Sequence, residues 1–298
     1  MTESVLVTGG SGFIGTNLII ELNKLGYNVV NLSKHKPQVD VGTIEMDMTD
    51  GDLSALDQYQ FDYVVHLAAI STIRDAEEDS DRTLAINIDT TRGLLNYFEH
   101  KNIKKFILMS SITVYKASKD AELDEKSELI ENETEGIYAY SKVMAEKQCE
   151  KYAQDMPIIV FRLSNSYGPY QRIGKNPVLI PQVINQALTD RRISVYNGEF
   201  ARDFVYVSDV IDAIIKGMQK DEVGTFNIGT GKATKVKEIA DKVSEILDAP
   251  VDDLKREIHV PLRLVADIGL IQEKLEWQPE ISLEEGLRRT IAYYQSNS

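Results

Sequence analysis

The sequence predicts an α/β fold with a doubly wound parallel sheet and a smaller C-terminal domain. Strand-like and helix-like patterns alternate through the first half of its 298 residues, which is typical of a parallel sheet covered by helices on both faces. A short apolar stretch at 4–7 leads into glycines at 9, 10, 12 and 15 and then into an amphipathic run at 13–25. This strand, turn and helix at the start of the chain are the second reason for the assignment.

The further strands are predicted from short apolar runs, and the helices from longer stretches with one apolar face. Strands are expected at 28–32, 43–46, 63–67, 105–109 and 158–163. Helices are expected at 52–59, 81–101, 138–155, 177–188 and 236–247. Because parallel sheets bind ligands at the carboxyl ends of their strands, candidate site residues are expected at those ends.

Composition narrows the classes of function. The chain is 43% hydrophobic and 27% charged, with a formal net charge of -14, so nucleic acid and anionic membranes are poor partners. Its one cysteine, Cys149, excludes an internal disulfide and suggests a reducing compartment. A strand beginning near residue 4 leaves no room for a signal peptide, and apolar runs are short. We expect a cytoplasmic protein, and no metal site is predicted.

The early glycines are spaced as in a dinucleotide-binding turn. One glycine makes the tight turn, one lets a pyrophosphate approach bare backbone, and one lets the helix pack against the strand. The helix N-terminus then offers free N–H groups to the phosphates. A purely structural turn is the alternative, but the position between a strand and a helix favours dinucleotide binding. The predicted cofactor-binding residues here are Gly9, Gly12, Phe13, Ile14 and Gly15.

The end of the second strand bears on the choice between NAD and NADP. NAD-selective sites usually have an acidic residue here that accepts from the ribose 2′-hydroxyl. This chain has Ser33 and Lys34, followed by His35 and Lys36, which resembles a pocket for the 2′-phosphate of NADP. NADP is therefore slightly favoured over NAD, with a solvated basic loop as the alternative.

Further cofactor contacts are predicted after the third and fourth strands and in the following helix, at Asp47, Met48, Leu67, Ala68, Ala69 and Asn87. Asp47 is expected at the adenine edge. The small side chains of Ala68 and Ala69 suit backbone that lies against a flat cofactor. His66 is expected to be a structural histidine rather than a base, and Asn87 has a local backbone-bonding role as its alternative.

A serine, a tyrosine and a lysine form the candidate catalytic set. Ser111 ends a predicted strand, and Tyr138 and Lys142 are four residues apart, so they share one face of a helix. An ammonium beside a phenol favours the phenolate, and such a pair can move a proton to or from a sugar or alcohol oxygen. Tyr-x-x-x-Lys by itself is usually an ordinary helix face. The order of glycine-rich turn, strand-end serine and Tyr-x-x-x-Lys favours the catalytic interpretation.

With these motifs the chain resembles the extended short-chain dehydrogenase/reductase family, and within it the nucleotide-sugar epimerase/dehydratase branch. The matching segments span almost the whole chain and lie at 8–15, 65–69, 162–169, 202–210, 226–231 and 275–279. The resemblance implies a Rossmann-type dinucleotide domain at 1–169 plus about 203–221. It implies a nucleotide-sugar-binding cap at 170–202 and 222–298, and a homodimer through the helices at 81–101 and 138–155.

The resemblance also implies roles for individual residues. Ser111 is expected to hydrogen-bond the reacting oxygen and Tyr138 to act as acid and base. Lys142 is expected to hold the nicotinamide ribose and to lower the pKa of the tyrosine. The expected contacts to a nucleotide-diphosphate sugar are Ser111, Thr113, Asn165, Arg202 and, on a looser match, Arg263. An ion pair with a neighbouring aspartate is the alternative for Arg202.

The residues after Ser111 narrow the reaction. Dehydratases of this family carry an Asp-Glu pair there and its decarboxylases carry a glutamate two positions on, whereas this chain has Ile112 and Thr113. Neither side chain exchanges a proton as a carboxyl does. A 4-epimerase acting through a 4-keto sugar is therefore favoured, with an NADPH-dependent 4-ketoreductase as the alternative. A non-catalytic dinucleotide-binding sensor or scaffold is a more distant alternative.

Overall fold

The computed structural model of the chain describes residues 2–116, 122–173, 178–255 and 263–297. Its strands are β1 (Ser4–Thr8), β2 (Asn28–Ser33), β3 (Gly42–Glu45), β4 (Tyr63–His66), β5 (Lys105–Ser111), β6 (Glu122–Leu123), β7 (Ile158–Leu163), β8 (Asn165–Tyr167), β9 (Ile193–Tyr196), β10 (Ala201–Arg202), β11 (Phe204–Tyr206), β12 (Gly224–Ile228), β13 (Thr234–Lys235), β14 (Val251–Leu254) and β15 (Arg263–Ala266). Its helices are α1 (Phe13–Lys24), α2 (Ile73–Glu78), α3 (Ser80–Leu84), α4 (Thr90–Phe98), α5 (Ile137–Tyr152), α6 (Leu179–Thr189), α7 (Val207–Gln219), α8 (Val236–Leu247), α9 (Gly269–Leu275) and α10 (Leu283–Ser296).

The main sheet is parallel and doubly wound, as predicted. Within the described residues it has seven strands in the order β12-β7-β5-β4-β1-β2-β3. The chain builds outward from β1 to β3, then returns to the other side of β1 with β4. The order therefore reverses between β1 and β4, and ligands of such sheets bind at the carboxyl ends beside that point. Thr8, at the end of β1, pairs with both Leu32 and His66.

The alternation of strand side chains explains why both faces of the sheet are covered. On β1, Val5 and Val7 belong to the apolar core on one face, whereas Leu6 belongs to the core on the other. Against the Leu6 face, α4 buries Leu94 and Phe98 almost completely. Full burial of each such side chain contributes roughly 1.5–3 kcal/mol to folding.

A second sheet has four strands in the order β13-β10-β15-β6, of which β6 comes from the first half of the chain, and β9 and β14 form a parallel pair. One detail of the expected domain boundary is wrong. The segment at 222–298 was assigned to the cap, but β12 pairs with β7 in the main sheet. The strand expected near 203 is β11, which pairs with β8 outside that sheet. The crossover through α7 then delivers β12 parallel to β7, which is how parallel neighbours are connected.

Two predicted helices differ from the structure. The helix expected at 52–59 is only a 3₁₀ turn at Ser54–Leu56. The helix expected at 81–101 is divided into α3 and α4 by a π-helical turn at Ala85–Asp89. Residue 177, the expected start of α6, lies outside the described residues. In the described ranges, every helix is too short or too polar to cross a bilayer.

Candidate active site

The glycine-rich turn after β1 needs its glycines for packing reasons that the structure makes explicit. Gly9 has a φ of +72°, and a Cβ at this position would lie 2.8 Å from Ala68 N. A Cβ at Gly15 would lie 2.4 Å from Gly9 O. Gly12 is exposed, and in the described part of the chain a Cβ there would approach only Gly9 O, at 3.2 Å. The backbone is therefore bare at Gly12, where a phosphate is expected to approach.

The start of α1 completes this cradle. Phe13 is its first residue, and Gly12 occupies the N-cap position, where it has no side chain to cap the helix. The first-turn N–H groups of an α-helix lack partners within the helix, so those of Phe13 and Ile14 suit phosphate oxygens. These features fit a dinucleotide diphosphate at the turn.

Gly10 and Asn31 are site residues that the sequence analysis missed. Asn31 is fully buried in β2, and its Oδ1 accepts a hydrogen bond from Gly10 N at 3.0 Å. A Cβ at Gly10 would lie 2.3 Å from that oxygen. The sequence feature that could have indicated this role is the polar Asn31 within the apolar run at 28–32.

The basic loop after β2 carries less free positive charge than its sequence suggests. Lys34 Nζ pairs with Asp47 at 2.7 Å and Lys36 Nζ with Glu45 at 3.2 Å. The Lys34 ammonium and Thr49 together lower the pKa of Asp47 to about 2. These exposed pairs are individually weak, typically 0–1 kcal/mol, so a bound phosphate would readily replace them.

Ser33 and Asp47 are both engaged with protein groups. The Ser33 hydroxyl accepts from Asn31 Nδ2 at 2.9 Å and donates to His35 O at 2.6 Å. Asp47 Oδ1 caps a 3₁₀ turn at Met48–Asp50 by accepting from Thr49 N at 3.1 Å. Met48 and Ala85 line a cavity of about 250 Å³. The expected contacts of Asp47 and Met48 with adenine stay predictions.

A hydrogen-bonded chain fixes the end of β4 beside the turn. The Thr8 hydroxyl accepts from Leu67 N and Ala68 N, each at 3.2 Å, and is 2.7 Å from His66 Nδ1. Because its oxygen already accepts, its proton is assigned to His66 Nδ1. His66 Nε2 then donates to Thr91 Oγ1 at 3.0 Å. His66 is therefore a structural histidine, as expected, and it positions the half-buried residues at 67–69.

This environment predicts an acid-sensitive contribution to stability from His66. Burial, with a smaller effect of Lys142, lowers the pKa of His66 to about 3. Below its ordinary pKa of about 6.5 the unfolded chain binds a proton that the folded chain does not, so stability is lost as the pH falls. From pH 7.5 to pH 5 we expect a loss of about 2 kcal/mol.

Urea unfolding at pH 7.5, 6.5 and 5.0 measures this loss. The variant His66→Gln is expected to lose the corresponding part of the pH dependence, since glutamine does not titrate. An identical difference between pH 7.5 and pH 5.0 in the variant and the unmodified protein would contradict the assignment.

Asn87 lies in the π-helical turn and is buried. Its Oδ1 accepts from Ile70 N at 2.8 Å, and its Nδ2 donates to Ile70 O at 3.1 Å and to Ser141 Oγ at 2.8 Å. The side chain thus fixes Ile70, next to Ala69, against α5. This is the local role named as its alternative, and its contact with the cofactor stays a prediction.

The structure brings the predicted catalytic residues together at the end of β5. Tyr138 is buried near the start of α5, and its side chain interacts with that of Ser111. Ser111 Oγ also accepts from Thr113 N at 3.2 Å and from Thr113 Oγ1 at 3.0 Å. The backbone N–H and the hydroxyl of Thr113 therefore orient the hydroxyl of Ser111, beside the crevice between β1 and β4.

The expected effect of Lys142 on Tyr138 is not found in this structure. Burial raises the pKa of Tyr138, and the interaction with Ser111 only partly opposes this. The Lys142 ammonium instead donates to Met109 O at 3.0 Å, because its long side chain reaches the end of β5. Burial also lowers the pKa of Lys142 to about 8, against the opposing charge of Glu146. Tyr138 therefore holds its proton at neutral pH.

The predicted substrate residues lie at the border of the smaller sheet. Asn165 N and Nδ2 both donate to Asp203 O at 3.0 Å. Arg202 is half-buried, and its Nη1 donates to Ala201 O at 2.8 Å. The Asp203 carboxylate, one of the aspartates considered as its ion-pair partner, accepts from Thr230 N at 2.8 Å and from the Thr230 hydroxyl at 2.6 Å.

The pairing register of β10 and β15 places the two candidate diphosphate-binding arginines, Arg202 and Arg263, on different faces. Arg202 pairs with Leu264 and Arg263 with Ala201 in parallel strands, so the two arginines stand on opposite faces of the strand pair. Backbone position therefore does not bring the guanidinium groups together. The diphosphate roles of both arginines stay predictions, and that of Arg263 has the weaker support.

A buried ion pair beside the catalytic set was also missed. Glu146 and Arg162 are joined at 2.6 Å between Oε2 and Nη2, and their side chains are only 4% and 6% exposed. A charged residue one helical turn after Lys142 on α5, and another inside the apolar strand β7, were the available signals.

Comparison with known proteins agrees with this geometry. A sequence model of the NAD dependent epimerase/dehydratase family matches residues 5–229. A UDP-N-acetyl-alpha-D-glucosaminuronate decarboxylase of Bacillus cytotoxicus is 30% identical, over 99% of this chain and 98% of the relative.

Two solved structures are similar throughout. The UDP-glucose 4-epimerase of Thermotoga maritima, with UDP-glucose, has a TM-score of 0.92 and 27% identity over 99% of each chain. The UDP-glucuronic acid 4-epimerase of Bacillus cereus, in complex with UDP-glucuronic acid and NAD, has a TM-score of 0.88 and 27% identity over 99% of this chain and 100% of the other. The chain belongs to the NAD dependent epimerase/dehydratase family, within the extended short-chain dehydrogenases/reductases.

Proposed function

We propose that the protein is a nucleotide-sugar 4-epimerase that uses a bound nicotinamide dinucleotide. The observation that carries the proposal is the buried side chain of Tyr138 beside that of Ser111, at the carboxyl end of β5. This end adjoins the crevice above the glycine-rich turn, where a dinucleotide diphosphate fits. The similar epimerases of Thermotoga maritima and Bacillus cereus, in complex with UDP-sugars, support the same substrate class.

In the proposed mechanism the chain's residues handle one proton at the sugar C4 oxygen. Gly9, Gly12 and Gly15 shape the cofactor cradle, and Lys142 is assigned to the nicotinamide ribose. The cofactor supplies reversible hydride chemistry when bound. Ser111 orients the C4 oxygen. Tyr138, once it has released its own proton to solvent, takes the C4 hydroxyl proton as the phenolate and later returns it. Because the same proton serves both directions, the keto sugar can be reduced on either face once it has turned over in the site.

The substrate's diphosphate is assigned to Arg202. Its planar guanidinium binds phosphate oxygens in two parallel hydrogen bonds and keeps its charge. Asn165, held beside it through Asp203 O, is the second proposed contact. A sugar nucleotide would thus be bound through its diphosphate, with the sugar directed towards Tyr138.

Dehydration and decarboxylation are disfavoured by the segment after Ser111. Ile112 is buried, and both the backbone N–H and the hydroxyl of Thr113 donate to Ser111 Oγ. Neither side chain supplies the carboxyl that these reactions use in the family. The similarity to the Bacillus cytotoxicus decarboxylase therefore supports the fold and substrate class rather than that reaction.

A panel of sugar nucleotides tests the proposal. The purified protein would first be analysed by mass spectrometry for retained dinucleotide, then incubated with UDP-, dTDP-, GDP- and CDP-sugars. Interconversion of a pair of C4 epimers without net oxidation of added NADPH is expected. Oxidation of NADPH by a 4-keto sugar nucleotide, with no interconversion, would replace the epimerase by the ketoreductase.

Two observations favour the ketoreductase as the second candidate. Burial raises the pKa of Tyr138, which suits a proton donor to a ketone. The end of β2 also has Ser33 and Lys34 in place of an acidic residue, as in a site for NADP. A sensor or scaffold that only binds a dinucleotide is less consistent with the ordered Ser111–Tyr138 pair.

The variant Ser33→Asp tests the proposed NADP preference. The new carboxylate would accept from a ribose 2′-hydroxyl and repel a 2′-phosphate. Since a hydrogen bond to a charged group contributes about 1.5–3 kcal/mol, the affinity ratio of NADH to NADPH should rise roughly 10- to 100-fold. Fluorescence titration with both cofactors measures the ratio, with Ser33→Ala as control. An unchanged ratio in Ser33→Asp would reject a 2′-phosphate pocket at this residue.

The homodimer through the helices at 81–101 and 138–155 also stays a proposal. On α4 and α5, side chains such as Leu95 and Cys149 pack inward on the sheet. Among the described residues, the large exposed apolar side chains lie outside α4 and α5. A dimer through these helices would bury polar groups such as Arg92 and Asn96. The cytoplasmic location is likewise proposed, supported by the buried single thiol of Cys149.

A further inference from the structure

Two charged side chains on α5 form hydrogen bonds with consecutive residues of β5. Lys142 and Glu146 are four residues apart and both buried, so they lie on the same inward face of the helix. Lys142 Nζ donates to Met109 O at 3.0 Å, and the Ser110 hydroxyl donates to the Glu146 carboxylate. Met109 and Ser110 directly precede Ser111, so both attachments act at the end of the strand that carries the catalytic hydroxyl.

Arg162 holds the Glu146 carboxylate from β7. Its Nη2 is 2.6 Å from Oε2, and its Nε donates to both carboxylate oxygens at 3.1 and 3.2 Å. Arg162 Nη1 donates further to the Tyr115 hydroxyl at 3.0 Å and to Glu125 O at 3.1 Å. The carboxylate therefore has a fixed position between two strands and the catalytic helix.

We propose that Glu146 is a positioning residue of the reaction site, which fixes the strand end carrying Ser111 and supplies the counter-charge to the buried Lys142 ammonium. The inference rests on the proposed function insofar as Ser111 and Lys142 serve the reaction. The electrostatic effect of the Glu146 carboxylate on Lys142 does not depend on which sugar is bound.

Of the titratable groups described here around Lys142, Glu146 is the one that carries a negative charge at neutral pH. Tyr138 on α5 holds its proton at neutral pH, and His66 on β4 is neutral because its pKa is lowered to about 3. Arg162 on β7 is the direct ion-pair partner of the Glu146 carboxylate. Burial lowers the pKa of Lys142 to about 8, and the charge of Glu146 opposes this decrease. Without that charge, Lys142 would lose its proton at lower pH.

Two variants separate the charge of Glu146 from its hydrogen bond. Glu146→Gln keeps an acceptor for the Ser110 hydroxyl and removes the charge, whereas Ser110→Ala keeps the charge and removes the bond. In Glu146→Gln the alkaline limb of kcat and the pH dependence of NADH binding should both move to lower pH by roughly 1–2 units. In Ser110→Ala we expect kcat to fall about tenfold with the pH dependence unchanged.

Two control variants test whether the shift in pH dependence is specific to the charge of Glu146. Glu146→Asp retains the charge and should restore the original pH dependence of NADH binding. Asp241→Asn removes the acidic member of the exposed pair of Lys237 and Asp241, four residues apart on α8, and should change neither quantity. If Glu146→Gln does not fold, Ser110→Ala still tests the fixing of the strand end, and an unchanged kcat in that variant would overturn it.

An unshifted pH dependence in a folded variant without the Glu146 charge would overturn the proposal. Failure of the unmodified protein to turn over any sugar nucleotide would instead overturn the proposed function. Fluorescence titration of NADH against pH would still test the charge of Glu146, because it requires no sugar substrate.

Discussion

Replacement of Tyr138 by phenylalanine is expected to lower kcat by about 10²- to 10⁴-fold, the usual contribution of a positioned acid or base. The change removes one hydroxyl from a buried ring that packs with Ala76 and Ile137, so the fold should be retained. NADH affinity should stay within about twofold, because Lys142 and the glycine-rich turn are unchanged.

Steady-state turnover of the sugar nucleotide and fluorescence titration of NADH measure the two effects separately. Tyr152→Phe is the matched control, since Tyr152 ends the same helix and its hydroxyl donates to Asn96, far along the chain from Ser111. It should turn over at the original rate. Turnover of Tyr138→Phe within tenfold of the original rate would exclude Tyr138 as the acid and base.

The main sheet was predictable because its strands are short apolar runs. The strand expected at 158–163 has those bounds in the structure, and the other expected strands differ by one or two residues at one or both ends. The seventh strand, β12, was not among those expected. Such runs are buried on both faces, so composition alone distinguishes them from their surroundings. The 3₁₀ turn at Ser54–Leu56 was overestimated as a helix because its pattern of a few apolar residues suits either structure.

The break between α3 and α4 depends on contacts far along the chain. Asn87 bonds Ile70, seventeen residues before it, and Ser141, fifty-four residues after it. A local pattern of apolar residues contains neither contact, so the sequence predicts an uninterrupted helix. The assignment of Asn87 to the site followed from its polar side chain in an otherwise apolar pattern, whereas its bonds to Ile70 required the structure.

In the candidate site, too, features that depend on local sequence were predictable and features that depend on distant contacts were not. Ser111 and Tyr138 were predicted together because a strand end and a helix spacing are local properties of the sequence. The pairing of Lys34 with Asp47, and of Glu146 with Arg162, depends on which strands lie side by side. The protonated state of Tyr138 likewise follows from burial, which a spacing of four residues does not indicate.

The glycine-rich turn offers the second large effect, in which two similar substitutions should fail for different reasons. Gly15→Ala would place a Cβ 2.4 Å from Gly9 O and 2.6 Å from Gly10 Cα. Backbone atoms at that distance must move, and overpacking of this kind costs typically 1–3 kcal/mol. The displaced turn should also lose cofactor affinity by 100-fold or more, an estimate of about 3 kcal/mol.

Gly12→Ala should leave stability almost unchanged. Its Cβ would lie 3.2 Å from Gly9 O, a contact that a small shift relieves, but it would occupy the surface that the phosphates are expected to approach. We expect a loss of NADH affinity similar to that of Gly15→Ala, of about 100-fold, with the free energy of unfolding within about 0.5 kcal/mol of the original.

Gly93→Ala on α4 is the control, since a Cβ there meets no described atom within 4 Å. In a helix interior it should be neutral or stabilising by up to about 1 kcal/mol, with unchanged NADH affinity. Urea unfolding and NADH titration of the three variants separate loss of fold from loss of binding. Full NADH affinity in a folded Gly12→Ala would show that the diphosphate lies elsewhere, and with it the proposed position of the nicotinamide beside Tyr138 would be lost.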